Sequence, residues 1–324
     1  MLAHTFSTRR DFLCRTAALA AGAMAVGAGN CGESNAEARV GTVVGAPLRW
    51  LLSGGGSPGA WQIGIYTRPW AQFEYPAALD AIAEAGYRYV GLMTIKSKSR
   101  LVLSMENTLE EAQKIGQQAK QRGLTIISVY GGGFPVGERV QEAGIQGLKR
   151  LIDNVAACGC GELLLGGQGR PQFQAAYYAT IKHCCDYAAE KNVFITIKPH
   201  GGLNATGPQC RTCCELVGHK NFGIWYDPGN ILFYSDGKLD PVEDAATVDG
   251  LVRGMAVKDY RHPKRVDVTP GTGQVDFPKV LARLKQGGFT GGPLVVECLA
   301  PGDPKALVEE AKKARVFVEQ LVSA

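Results

Sequence analysis

Four apolar runs in the second half of the chain end on polar residues: IKPHGG at 197–202, WYDPGN at 225–230, VKDY at 257–260 and VVECL at 295–299. Their leading polar residues recur about every 30 positions, the length of one strand–helix unit, and polar residues at the carboxyl ends of parallel strands are where such folds keep their chemistry. The same alternation extends through most of the chain. Strands are predicted at 62–66, 87–93, 125–130, 162–165, 193–198, 223–226, 254–258 and 294–298. Helical patterns lie between them at 75–85, 109–122, 144–157, 173–191, 211–217, 245–252 and 278–286, and a final helix runs over 304–321. Gly86, Gly123 and Gly287-Gly288 stand just past helix ends, where a left-handed cap favours glycine. Eight strands and eight helices are the inventory of a (β/α)8 barrel of the TIM type, an α/β fold. A doubly wound sheet would need a switch point and usually a glycine-rich phosphate loop, and GGQG at 166–169 is too weak to serve as one.

Composition narrows the partners. The chain has 324 residues and a net charge of +5, with lysines and arginines scattered rather than striped, which argues against nucleic acid. No apolar run reaches the length of a membrane span. Ser7-Thr8-Arg9-Arg10-Asp11-Phe12-Leu13 matches a twin-arginine export signal, followed by an Ala/Gly stretch over 16–29 and a small-x-small cleavage site at Ala36-Glu37-Ala38. Residues 1–38 are therefore expected to be a signal peptide handled by the twin-arginine translocation machinery, which delivers folded protein to the periplasm. Residues 39–60, with GGGSPG at 54–59, are expected to be a flexible lead-in, and 61–324 a single barrel domain.

Ten cysteines, two of them (Cys14 and Cys31) in the leader, leave eight for the barrel. Cys184-Cys185 and Cys213-Cys214 are adjacent pairs that would close strained rings if bridged. Cys158-Gly159-Cys160 lacks a second pair at zinc spacing. These side chains are expected to be small buried hydrophobes.

Lys198-Pro199-His200-Gly201-Gly202, Asp227-Pro228-Gly229-Asn230, Val257-Lys258-Asp259-Tyr260, the run GTGQVDF at 271–277 and Glu297 together resemble the xylose-isomerase-like barrel family of sugar isomerases and epimerases, from Gly64 to the end of the chain. The resemblance implies a carbohydrate substrate and a divalent metal held by Glu, Asp, His and Glu on strands five to eight. Asp227 and Glu297 match two of these positions. Lys198 stands at the strand-five Glu, and Ala256 at the strand-seven His. The family's nuclease branch, whose three-zinc cluster consumes many histidines, does not suit a chain with five.

Isomerisation next to a carbonyl needs a group to move a proton and positive charge on the enediolate oxygen. Strand alternation puts Lys198 and His200 on one face, and Lys258 on the face of Ala256, so Asp227, Glu297, Lys198, Lys258 and His200 are expected to cluster at the barrel mouth. In one reading Lys198 replaces the metal, Glu297 or His200 moves the proton, and two carboxylates balance two ammonium groups. In the other, Asp227, Glu297 and His200 still hold Mn²⁺, Mg²⁺ or Zn²⁺, with water completing the shell. The metal-free reading is preferred, because a cation beside Lys198 is electrostatically unfavourable. Asp259, of opposite parity, is expected to bond loop backbone. Trp70 and Arg68 after strand one, Trp225 on strand six and His262 after strand seven are candidates for substrate binding. Two other functions stay open: a lyase or hydrolase on an oxidised sugar, and a non-catalytic periplasmic sugar-binding protein. Oligomeric state is open as well.

Overall fold

The structure is a computed structural model and describes residues 60–323, so the export signal and the lead-in up to residue 59 lie outside the described residues. Eight strands form one closed parallel barrel in chain order: β1 (Trp61–Tyr66), β2 (Tyr89–Leu92), β3 (Thr125–Tyr130), β4 (Glu162–Leu165), β5 (Phe194–Ile197), β6 (Phe222–Tyr226), β7 (Val252–Val257) and β8 (Gly292–Val296). Pairing of β1 with β8, in register from Trp61–Gly292 to Ile65–Val296, closes it. The helices are α1 (Tyr75–Glu84), α2 (Leu109–Gln121), α3 (Gln141–Ala157), α4 (Pro171–Glu190), α5 (Gly207–Val217), α6 (Pro228–Ser235), α7 (Pro241–Ala246), α8 (Phe277–Gln286) and α9 (Pro304–Ser323). None of the described helices is long and apolar enough to cross a membrane.

Every predicted strand is present, within two residues at each end. The segment after β6 differs from expectation. One helix was predicted at 245–252; two shorter ones form instead, α6 directly after Asp227 and α7 at Pro241–Ala246. Asp-Pro-Gly-Asn reads as turn chemistry, but the same residues start a helix: Asp227 is the N-cap and Pro228 occupies the first turn, where its missing N–H costs nothing.

Two apolar layers hold the fold. The larger one lies between sheet and helices, where the strand residues Ile65, Val90, Val129, Leu163, Ile195, Ile224, Met255 and Val296 meet the inner helix faces. The smaller one fills the barrel: Tyr66, Met93, Ile127, Leu164, Trp225, Ala256 and Val295. Glycine makes room for the largest of these rings. A Cβ at Gly254 would lie 2.4 Å from the Trp225 ring, so β7 must be bare where the indole crosses the barrel. All eight described cysteines are free and seven are buried, in keeping with their expected packing role.

Candidate active site

Asp227, Lys198, Lys258 and Glu297 are each the residue immediately after the last residue of β6, β5, β7 and β8. Barrel closure therefore brings four adjacent strand ends to one point. All four side chains are buried. The Lys198 ammonium lies between the carboxylates, 3.2 Å from Asp227 Oδ2 and 2.5 Å from Glu297 Oε2. Lys258 Nζ donates to Asp227 Oδ2 at 3.2 Å and Asn230 Oδ1 at 3.0 Å, and forms an ion pair with Glu297 Oε1 at 2.6 Å. Lys198 has two such partners among the described residues and one N–H left over.

Two further residues complete the network. Arg68, in the turn after β1, donates from Nη1 to Glu297 Oε1 at 2.7 Å. Asn230, in the first turn of α6, ties the lysine to the backbone: its side-chain amide donates to Pro199 O at 2.6 Å while its carbonyl takes Lys258. Asp227 divides its work, with Oδ1 accepting the Asn230 N–H at 2.9 Å as a helix cap and Oδ2 facing both lysines. The expected balance of two carboxylates and two ammonium groups is corrected by Arg68: three cations face two anions.

Charge balance decides protonation. Burial alone would raise the Glu297 pKa, but Lys198, Lys258 and Arg68 outweigh it and hold the carboxyl well below its ordinary value. Burial opposes the charge on Lys258 as well, and Asp227 and Glu297 overcome it, so this pKa rises. A carboxylate held by three cations is a weak proton acceptor. Of the two expected proton carriers, Glu297 is engaged by three cations, whereas His200 makes no ion pair among the described residues. His200 lies open at the mouth, where loss of water around the ring and then the Lys198 charge push its pKa below the ordinary imidazole value. It is neutral at neutral pH.

Aromatic side chains flank His200, but not the predicted ones. Trp70 is 2% exposed and packs in the layer outside the sheet, on the opposite side of its one-turn 3-10 helix from Arg68. Trp225 is fully buried one pleat below Asp227, inside the barrel. Neither ring can reach a ligand. Tyr130, which ends β3, and Tyr234, at the end of α6, take their place, with ring centroids 6.5 and 6.1 Å from His200. Burial raises both phenol pKa values, so both stay protonated donors. Tyr130 was detectable in the sequence, since it is a polar-tipped residue closing a predicted strand. His262 is exposed on the β7–α8 loop, its backbone held by Gln274 and its ring 3.5 Å from the Tyr260 hydroxyl, and it makes no contact with the buried cluster.

Asp259 does what its parity predicted. It accepts the backbone N–H groups of Tyr260, Gly271, Gly273 and Val275 at 2.7–3.1 Å and so shapes the loop beside the site. A Cβ on Gly273 would fall 2.3 Å from its carboxylate, which restricts that position to glycine.

The donor set does not fit a resident divalent metal. A cation between Asp227 and Glu297 would need the position of the Lys198 ammonium. His200 makes no hydrogen bond to either carboxylate, and no group of three His, Cys, Asp or Glu side chains among the described residues is arranged to hold a metal.

Comparison with solved structures finds the same barrel widely. A xylose isomerase domain protein from Planctomyces limnophilus matches with a TM-score of 0.63 at 21% identity, over 81% of this chain and 97% of the other. D-psicose 3-epimerase from Clostridium cellulolyticum H10, solved with D-tagatose, matches with a TM-score of 0.64 at 13% identity, over 81% and 99%. An L-ribulose 3-epimerase matches with a TM-score of 0.62 at 16% identity, over 81% and 95%. No curated protein matches in sequence. The family model for xylose isomerase-like TIM barrels matches residues 79–317, and the chain belongs to that family.

Proposed function

We propose that the chain is an exported carbohydrate-active enzyme, a sugar isomerase or epimerase that removes and returns a proton beside a carbonyl with lysine charge in place of a metal. The observation that carries this reading is the Lys198 ammonium bridging Asp227 and Glu297 at 3.2 and 2.5 Å. Neighbours of the same fold include sugar epimerases, which supports the substrate class. Export to the periplasm rests on the twin-arginine pattern at 7–13 and favours an unphosphorylated sugar.

The chemistry follows from the roles each group can fill. Neutral His200 accepts the proton from the carbon next to the carbonyl, and the electron pair moves onto the carbonyl oxygen. Positive charge from Lys198, whose third N–H is uncommitted, stabilises that oxygen. Lys258 and Asn230 keep the network in place. Tyr130 and Tyr234 offer phenol donors and ring faces to the sugar. Return of the proton from His200 to the neighbouring carbon, with that carbon's hydroxyl proton passing to the former carbonyl oxygen, gives isomerisation. Epimerisation takes a proton from a second donor on the opposite face, a role a protonated phenol such as Tyr130 or Tyr234 can fill.

His200→Gln is expected to lower kcat by about 10²–10⁴, the usual contribution of one acid–base group. Because the His200 pKa is depressed, the acid limb of the wild-type pH–rate profile is expected below the ordinary imidazole value. A loss of less than about tenfold with an unchanged acid limb would assign the proton transfer elsewhere.

A further inference from the structure

Arg68 is the only member of the buried charge network with substantial exposure: its side chain is 33% exposed, against 3% or less for Lys198, Lys258, Asp227 and Glu297. It spends one donor, Nη1, on Glu297, and the rest of its fork has no protein partner among the described residues. Behind it Lys198 and Lys258 balance Asp227 and Glu297, so the unmatched charge of the network is that of Arg68 itself. A charge two-thirds removed from water is stabilised when an opposite charge meets it. Nearby carboxylates do not supply it. Asp267, on the β7–α8 loop, raises the Arg68 pKa at a distance but is exposed and makes no ion pair with it. Asp259 is turned away into its own loop, where four backbone N–H groups hold it.

From this arrangement we infer that the substrate is a sugar acid, with its carboxylate on the open edge of Arg68 and its carbonyl end beside His200. The inference rests on the proposed proton-transfer function and names its substrate class. A planar guanidinium with a free edge matches the two oxygens of a carboxylate. A phosphate suits the same charge, but it would call on more donors than one solvent-facing cation presents. The neutral tyrosines and neutral His200 around the mouth contribute donors and ring faces without further charge, as suits the hydroxylated remainder of such a molecule.

The test compares matched ligands on the purified full chain by isothermal titration: glucose, glucuronate and glucose 6-phosphate, and then galactose with galacturonate. Each acid is expected to bind at least about tenfold more tightly than its neutral partner, the effect of one charge-assisted contact. The advantage is expected to shrink as salt rises. Arg68→Gln should bring the acid down to the level of the neutral sugar, and Arg68→Lys should recover only part of the difference. The wild-type comparison stands on its own if either variant folds poorly. Neutral sugars binding as well as their acids would overturn the substrate class and leave the proposed proton transfer intact. Tighter binding of glucose 6-phosphate would overturn the carboxylate in particular. Absence of binding by every sugar would overturn both readings.

Discussion

Glu297→Gln is expected to cost about 3–5 kcal/mol of folding stability at pH 7, the range found when one partner of a buried ion network is removed. The substitution keeps the shape of the side chain but leaves Arg68, Lys198 and Lys258 to share Asp227 alone. The pH dependence gives the effect a signature. The folded-state pKa of Glu297 is depressed, so its contribution is fully present above the unfolded carboxylate value of 4.5 and is lost as pH falls through the depressed pKa. Lys258 works in the opposite sense: its raised pKa gives a contribution that is fully present below 10.5 and is lost as pH rises above that value. Urea denaturation of both proteins should therefore show a wide gap between about pH 5 and 10 that narrows in acid. A gap below about 1 kcal/mol at pH 7 would mean that the network is far better hydrated than its burial indicates.

The opposite end of the barrel predicts a gain. Glu162, the first residue of β4, is 7% exposed, and its Oε1 has no hydrogen-bond partner among the described residues. Burial raises its pKa to about 7, with Arg253 and Thr196 only partly opposing. In this case folding favours the protonated form. Below pH 4.5 the carboxyl is neutral in both states and costs nothing extra; between 4.5 and about 7 the unfolded chain alone ionises, and stability falls as pH rises. The accumulated penalty is about 3 kcal/mol above pH 7, at roughly 1.4 kcal/mol per pH unit. Glu162→Gln removes the ionisation and should stabilise the fold by about 2–3 kcal/mol at pH 8, with no gain at pH 4. Thermal melts across that range would show it. A pH-independent difference would instead trace the effect to packing. Glu162 stands at the amino-terminal face, away from the candidate site, where a residue affects stability before chemistry.

Much of this was legible in the chain. The four strand ends of the second half placed Lys198, Asp227, Lys258 and Glu297 correctly because each sits one residue past an apolar run, and parallel strands in one barrel align such positions. Parity separated Lys258 from Asp259 for the same reason. What was hidden depends on closure of the barrel. Arg68 and Glu297 are 229 residues apart and meet only because β1 pairs with β8. Without that contact the network looked neutral. The tryptophans misled because aromatic character near a strand end does not say which side of the sheet it faces. Trp225 shares its face with Asp227 but lies one pleat lower, where the barrel is packed solid. Tyr234 was hidden because DPGN reads as a turn, and it becomes part of the mouth only when α6 carries it back over Gly201, where an added Cβ would meet its ring at 2.6 Å.

Lysine in the place of a metal is the central claim, and proton exchange in deuterated water tests it most directly. Protein treated with chelator and confirmed free of Mn²⁺, Mg²⁺ and Zn²⁺ would be incubated with sugars and sugar acids in D₂O, and deuterium at the carbon next to the carbonyl followed by NMR. The account predicts catalysed exchange that added metal does not increase and that Lys198→Met abolishes. Exchange that appears only when a divalent metal is restored would contradict it.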